Sequence, residues 1–402
     1  MTTFVSIRNN IRDHHLADES QVLSGLLEQI KTADIDWAVV SQDAADLINE
    51  IRQQGELGLM EVFLVEYGLS TNEGVALMCL AEALLRIPDA HTVDEFIEDK
   101  IGTSSWNEHL NQSDSTLVNA STWALSITEK VLNDTGSQSL SATFHRAVRR
   151  LGVPVIRSAV RRAMKELGHQ FVLGRDIQEA IRRGTKQEAD GYTYSYDMLG
   201  EAALTQRDAD DFYVSYREAI DQISVKSVHP EIRDNPGISI KLSALHPRYE
   251  VSQKQRVMEE LVPRVLTLAI AAKEANMGLN IDAEEADRLE LSLDVIEAVL
   301  SSPTLATWDG FGVVVQAYSK RAPAVIDWLY RLSTELDRKI MVRLVKGAYW
   351  DTEIKRSQVE GLTDFPVFTD KAATDVSYIC CAIKLMEYDA VSYTHLTLPT
   401  KA

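Results

Sequence analysis

The sequence predicts an α/β protein, with a helical N-terminal arm and α-domain followed by an incomplete (β/α)8, TIM-like barrel of about five strands. Three observations carry that expectation. Apolar residues recur at three- and four-residue spacing through the first 190 positions. Beyond Asp190, short apolar strands alternate with long helical patterns. No first strand is followed by the G-x-G-x-x-G turn that announces a doubly wound nucleotide binder, since Gly310-Phe311-Gly312 precedes a strand instead.

Each element has its own signal. Val22, Leu26 and Ile30 begin one helical face, and Val75, Met78, Leu80, Leu84 and Leu85 give another between Ser70/Thr71 and Pro88. A stretch rich in Ser, Asn and Thr over 102–119 reads as a loop or a domain seam. Strands are expected over 192–198, 237–245, 278–283, 311–318 and 340–348, with helices near 208–223, 254–275, 285–300 and 322–336. Consecutive βα units imply a parallel sheet under helices. By the family resemblance set out below, the expected division is a dimerisation-type helical arm over 1–60, an α-domain and linker over 61–188, a partial barrel over 189–390, and a non-native tail over 391–402.

Composition narrows the function. The chain has 402 residues, 60 acidic and 41 basic, for a formal net charge of −19. Hydrophobic residues at 45% and charged residues at 25% exclude a mostly disordered chain. The negative charge disfavours a phosphate backbone, so no nucleic-acid partner is expected. The basic run over 144–186 reads as helical surface paired with the acidic remainder, because the aromatic interleaving of a single-strand binder is missing. Three cysteines, Cys79, Cys380 and Cys381, offer neither a disulfide framework nor a zinc site, and no apolar run approaches the ~20 residues needed to span a bilayer. The expected location is cytoplasmic, with peripheral contact at the inner membrane left open.

The chemistry sits at the strand ends. Each strand delivers polar groups late: Asp197, Lys241, Asp282, Gln316, then Arg343 and Lys346. In the second strand Ile238, Ile240 and Leu242 alternate with Ser239, Lys241 and Ser243, which places the latter set in the barrel lumen near its C-terminal mouth. Carboxylates Asp197, Glu201 and Asp282, cations Lys241, Arg343 and Lys346, and the amphipathic Gln316, Tyr349 and Trp350 would converge there. Such a mouth suits an anionic ligand. A strand-end lysine can form a Schiff base or remain a cation, and neighbouring acids favour the cation. The run Arg343-Leu344-Val345-Lys346-Gly347-Ala348-Tyr349-Trp350 encloses a glycine turn between cations and aromatics, which suits a large planar cofactor with phosphates; the alternative is a strand ending in a surface turn. His145, His169, His229 and His246 show no paired ligand spacing, so no metal is expected.

These runs, with Tyr196-Asp197-Met198-Leu199-Gly200-Glu201-Ala202, Ile240-Lys241-Leu242-Ser243-Ala244-Leu245-His246-Pro247-Arg248-Tyr249 and Asn280-Ile281-Asp282-Ala283-Glu284-Glu285, closely resemble the proline dehydrogenase part of bifunctional proline utilization A flavoenzymes. The likeness covers nearly all of residues 10 to 385. It implies a distorted (β/α)8 barrel holding FAD, which oxidises L-proline to 1-pyrroline-5-carboxylate and passes electrons to a membrane quinone. By the same resemblance Lys241 holds the proline carboxylate, Tyr349 packs on the proline ring, and Glu201 pairs with a mobile substrate-binding arginine. Asp282 and Ala283 lie against the flavin, with Asp282 orienting Lys241. Gln316, Arg343, Val345, Lys346, Gly347 and Trp350 bind the cofactor.

Two departures are expected. The arm-like helices begin within about 20 residues of Met1, leaving no room for the ribbon-helix-helix DNA-binding segment of some members. Five strands are visible where a closed barrel needs eight. The family's later strands, FAD-motif histidine, arginine pair and aldehyde dehydrogenase half are missing, and 391–402 does not continue the pattern, so His395 is not equated with that histidine. The literal chain is therefore expected to be inactive or poorly folded, and its longer parent active. A homo-oligomer is compatible with the sequence. The rival readings are a Schiff-base aldolase using Lys241 or Lys346, and a non-enzymatic helical scaffold.

Overall fold

The structure, a computed structural model, describes residues 4–33, 35–53, 155, 158–162, 164–165, 172–198 and 202–388, and the backbone of 391–396. The chain divides into two compact units, residues 1–35 with 176–402, and residues 36–175. Of the second unit, helix α3 (Trp37–Gln53) is described over its whole length. The expected helix around 75–85, the loop over 102–119 and Glu201 lie outside the described residues.

The first unit is built on a parallel sheet. Strands β1 (Ser195–Asp197), β2 (Gly237–Ile240), β3 (Leu279–Ile281), β4 (Phe311–Gln316), β5 (Ile340–Val345) and β6 (Val391–Leu396) are hydrogen-bonded in sequence order. Helices occupy the connections: α4 (Ile177–Glu188) precedes β1, α5 (Gln206–Ser224) follows it, and the short α6 (Leu242–Leu245) and long α7 (Lys254–Glu274) follow β2. Then come α8 (Leu289–Leu300), α9 (Ala322–Glu335), α10 (Trp350–Glu360) and α11 (Lys371–Glu387). Local chemistry sets the ends of these helices. Thr205 and Asp208 form a reciprocal capping box at the start of α5, and Gly361, at φ 65°, closes α10 in the left-handed conformation that costs glycine little.

The register assigns the two faces. Ile240, Ile281, Val313 and Val342 are aligned across four strands, on the side where β3 to β5 meet Leu293 and Ile296 of α8 and Ile326 and Leu329 of α9. Burying each of these aliphatic side chains stabilises the fold by about 1.5–3 kcal/mol. The opposite face carries the row Ser239, Asn280, Gly312 and Met341. A Cβ on Gly312 would collide with the Asn280 side chain, so glycine is required for the row to close up. One step toward the strand ends the same face continues with Lys241, Asp282, Val314 and Arg343, the row that matters below.

Two expectations need correction. The second strand ends at Ile240, and Leu242–Leu245 turns into a helix, so Ser243 is not a lumen-facing strand residue. Its hydroxyl instead accepts from the Ala202 N–H at 3.1 Å, and its own N–H donates to Glu284 Oε1 at 3.0 Å. Buried carboxylate and backbone partners outbid the period-two pattern there. A sixth strand joins the five expected, formed by 391–396 and paired in parallel with β5; Val391, Tyr393 and Thr394 have the β-branched and aromatic character that strands favour. The two compact units divide at 35/36 and 175/176. Helices α1 (Phe4–Asp13) and α2 (Glu19–Thr32) pack on α9 and α11 of the sheet unit. Arg8 drives the first contact, pairing with Asp294 and lying 5.6 Å from the ring of Trp328.

Candidate active site

Strand ends bring four ionised side chains together. Lys241 follows β2, and its Nζ donates to Asp282 Oδ2 at 2.7 Å and to Asp197 Oδ1 at 3.0 Å. Arg343 of β5 donates through Nη2 to the other oxygen of Asp282. Lys241 and Asp282 are each only 7% exposed, so this is a charge network withdrawn from water. Two carboxylates and two cations leave it near neutrality.

Burial by itself would lower the pKa of Lys241, but the charges of Asp282 and Asp197 and their hydrogen bonds outweigh it and hold the ammonium above its ordinary value. Asp197 moves the other way from an exposed acid: burial first, then repulsion from Asp282, raise its pKa despite Lys241. An amine held so firmly protonated is a poor Schiff-base nucleophile and a good anchor for a carboxylate. The aldolase reading therefore loses its nucleophile at Lys241.

One supporting residue, Tyr216, was not legible in the sequence. The Lys241 backbone N–H donates to the hydroxyl of Tyr216, a buried residue of α5, at 3.2 Å. Burial also pushes the Tyr216 phenol up to about 12, so it stays neutral. On the next strands Gln316 bridges two loops, donating from Nε2 to the Glu284 carbonyl at 2.9 Å and accepting at Oε1 from the Ala348 N–H at 3.1 Å. A residue like Tyr216 leaves only the signature of an aromatic on an amphipathic helix, which is indistinguishable from core.

The turn after β5 has the form that the sequence suggested. Gly347 has φ 143°, and a Cβ there would collide with the ring of Tyr318, so the backbone and the ring meet face to face. Ala348 is exposed and Val345 and Tyr349 are half-buried beside it. Trp350 opens α10 with its ring 41% exposed, yet its indole N–H donates to the Phe368 carbonyl at 2.8 Å, which sets its orientation. Ala283, half-buried, follows Asp282. Lys346 departs from the cluster: it pairs with Asp375 of α11, one residue out of phase with Arg343 and Val345. A cavity behind β3 and β4, lined by Ile281, Val313, Val315, Leu293 and Ile296, lies on the helix-facing side and reaches the site only at its rim.

The donor set fits a flavin. Arg343 Nε is a buried N–H with no hydrogen-bond partner among the described residues, the Gly347 turn admits close approach of a ligand to the backbone, and Gln316 and Trp350 bring an amide and a partly open aromatic face to the same strand ends.

A profile described as proline dehydrogenase matches residues 180–399, more than half of the chain and all of the residues above. The chain belongs to the proline dehydrogenase family. The match extends through β6, past residue 390, where the sequence reading ended the family pattern. A second profile, described as the DNA-binding domain of proline dehydrogenase, matches residues 59–171. That description runs against the expectation of no nucleic-acid partner. The proline dehydrogenase likeness extends to the bifunctional protein PutA of Escherichia coli, 49% identical over 379 residues, spanning 93% of this chain and 29% of that protein. It extends also to PutA of Klebsiella aerogenes, 52% identical over 352 residues, spanning 88% of this chain and 27% of that protein. A crystal structure of a Bradyrhizobium japonicum proline utilization A variant superposes with a TM-score of 0.66 at 45% identity, covering 96% of this chain and 38% of that one. The chain thus spans less than a third of the length of these curated relatives.

Proposed function

We propose that this chain is the proline dehydrogenase part of a bifunctional flavoenzyme: it holds FAD, oxidises L-proline to 1-pyrroline-5-carboxylate, and passes the electrons to a membrane quinone as the first step from proline to glutamate. The observation that carries the reading is the buried row Lys241, Asp282 and Arg343 on one face of the sheet. Lys241 binds the substrate carboxylate as a permanent cation, and Asp282 and Asp197 fix the direction of its N–H bonds. Tyr349 offers its ring as a wall for the pyrrolidine, and Glu201 would pair with a substrate-binding arginine supplied by the longer protein. Asp282, Ala283, Gln316, Arg343, Val345, Lys346, Gly347 and Trp350 would hold the cofactor. When bound, the flavin supplies the two-electron acceptor for the hydride on the carbon beside the ring nitrogen. The protein's part is orientation, since a carboxylate anchor and a flat wall together leave the ring few alternatives. The remaining barrel strands and an aldehyde dehydrogenase half belong to the longer protein, which works in the cytoplasm at the inner membrane surface.

Proline-dependent dye reduction tests this, run on the 402-residue chain and on the same chain continued through the remaining strands. Turnover with a flavin absorbance band is expected from the second, and little from the first. Lys241→Met should lower kcat/KM at least about 30-fold while the flavin band remains, because removing one partner of a buried charged contact costs about 2–5 kcal/mol. Borohydride trapping of a carbonyl substrate on Lys241, with no flavin band in either protein, would replace the reading with the aldolase.

A further inference from the structure

The cofactor cradle rests on a loop that the N-terminal helices hold. Phe368 is the hub of that loop. Its N–H donates to the Tyr318 carbonyl at 2.8 Å and its carbonyl accepts the Trp350 indole N–H at 2.8 Å. Tyr318 in turn presses its ring on Gly347. One peptide segment therefore supports both sides of the turn, Gly347 through Tyr318 and Trp350 directly.

Three contacts from the first 33 residues fasten this segment. The Phe368 ring is wholly buried in a cluster with Leu26 of α2 and Ala373 and Cys380 of α11, flanked by Val22, Leu23 and Ile30. Glu19, the first residue of α2, accepts from the Thr369 N–H at 3.0 Å and from its hydroxyl at 2.9 Å. Lys320, 1% exposed, donates to the Ala17 carbonyl at 2.8 Å and to Asp364 Oδ1 at 2.8 Å, tying the loop after β4 to the approach of α2 and to the start of the 364–369 segment. Phe368 and Thr369 are adjacent, so a shift of Glu19 reaches the Trp350 acceptor through one residue.

We infer that Glu19 is a positioning residue for the cofactor site, acting through Thr369 and Phe368 on the orientation of Trp350, and that α2 forms part of the working catalytic unit. The inference rests on reading Gly347 and Trp350 as the cofactor cradle, but the tie itself is a property of the flavin-free protein.

The test labels the tryptophans with a 5-fluoro group, assigns the Trp350 fluorine resonance with Trp350→Phe, and compares Glu19→Ala and Glu19→Gln with the parent sequence. In the flavin-free protein Glu19→Ala should shift or broaden the Trp350 resonance and leave the other indoles in place. Glu19→Gln, which keeps an acceptor oxygen, should restore most of the position. With flavin added to the chain continued through the remaining strands, Glu19→Ala should weaken FAD binding about threefold to tenfold, the range set by loss of one or two hydrogen bonds. An unmoved Trp350 resonance in a folded Glu19→Ala protein overturns the inference, whatever the flavin does. A moved resonance, with no FAD bound by the continued chain, upholds the tie and overturns the cofactor reading instead.

Discussion

Asp197 and Lys241 illustrate how one cluster loses stability with rising pH in two separate windows, one acidic and one alkaline. Lys241 has a raised pKa, so its ion pairs contribute stability that is complete below the unfolded value of 10.5 and is lost only as the pH climbs above it through the folded value. Asp197 is also raised, but it is an acid: the folded state binds the extra proton, and stability falls as pH rises from 3.8 through the folded value. At neutral pH its charge therefore opposes folding. Asp197→Asn is expected to raise the melting temperature at pH 7 by about 1–2 °C, kept small by solvent screening at its half-open side chain, and the gain should vanish near pH 4. Thermal unfolding followed at both pH values checks this. A drop at pH 7 would show that the hydrogen bond to Lys241 outweighs the repulsion from Asp282.

At the scale of elements, the strand-end turns are where local sequence and site geometry meet. The turn at Gly347 combines a backbone angle that side-chain-bearing residues resist with a Tyr318 ring that leaves no room for a Cβ. Gly347→Ala is expected to cost about 1–3 kcal/mol and to displace Tyr318, weakening flavin binding at least about fivefold. Urea unfolding and a flavin titration on the same variant separate the two effects. The strand positions themselves were largely legible, because Ile238-Ser239-Ile240 and Phe311-Gly312-Val313-Val314-Val315 carry apolar, β-branched residues between helical patterns. Their ends were less so: β2 stops three residues after Gly237 because Ser243 finds Glu284, a partner 41 residues away that no local pattern announces.

For the whole molecule, long-range polar ties decide how the N-terminal helices sit. Arg8 is 7% exposed, pairs with Asp294 and lies 3.4 Å from a carboxylate oxygen of Glu290, with its guanidinium over Trp328. Arg8→Ala leaves those acids without their buried partner and removes the cation–π contact, at a cost of about 2–4 kcal/mol. A melting-temperature loss of about 5 °C or more is expected, measured by thermal unfolding. An unchanged value would mean that α1 contributes nothing to the sheet unit's stability.

By itself the sequence determined the α/β class, the parallel order of the strands, and the residue types at the strand ends, since hydrophobic period and strand-end chemistry are local properties of the chain. Only the tertiary structure decided which of those residues meet: Lys241, Asp282, Asp197 and Arg343 gather on one face, Lys346 turns to Asp375, and Tyr216 supports the lysine from a neighbouring helix. The physical reason is that side-chain direction depends on strand register and on partners tens to hundreds of residues away. Glu19 holding Thr369 across 350 positions of sequence is the extreme case.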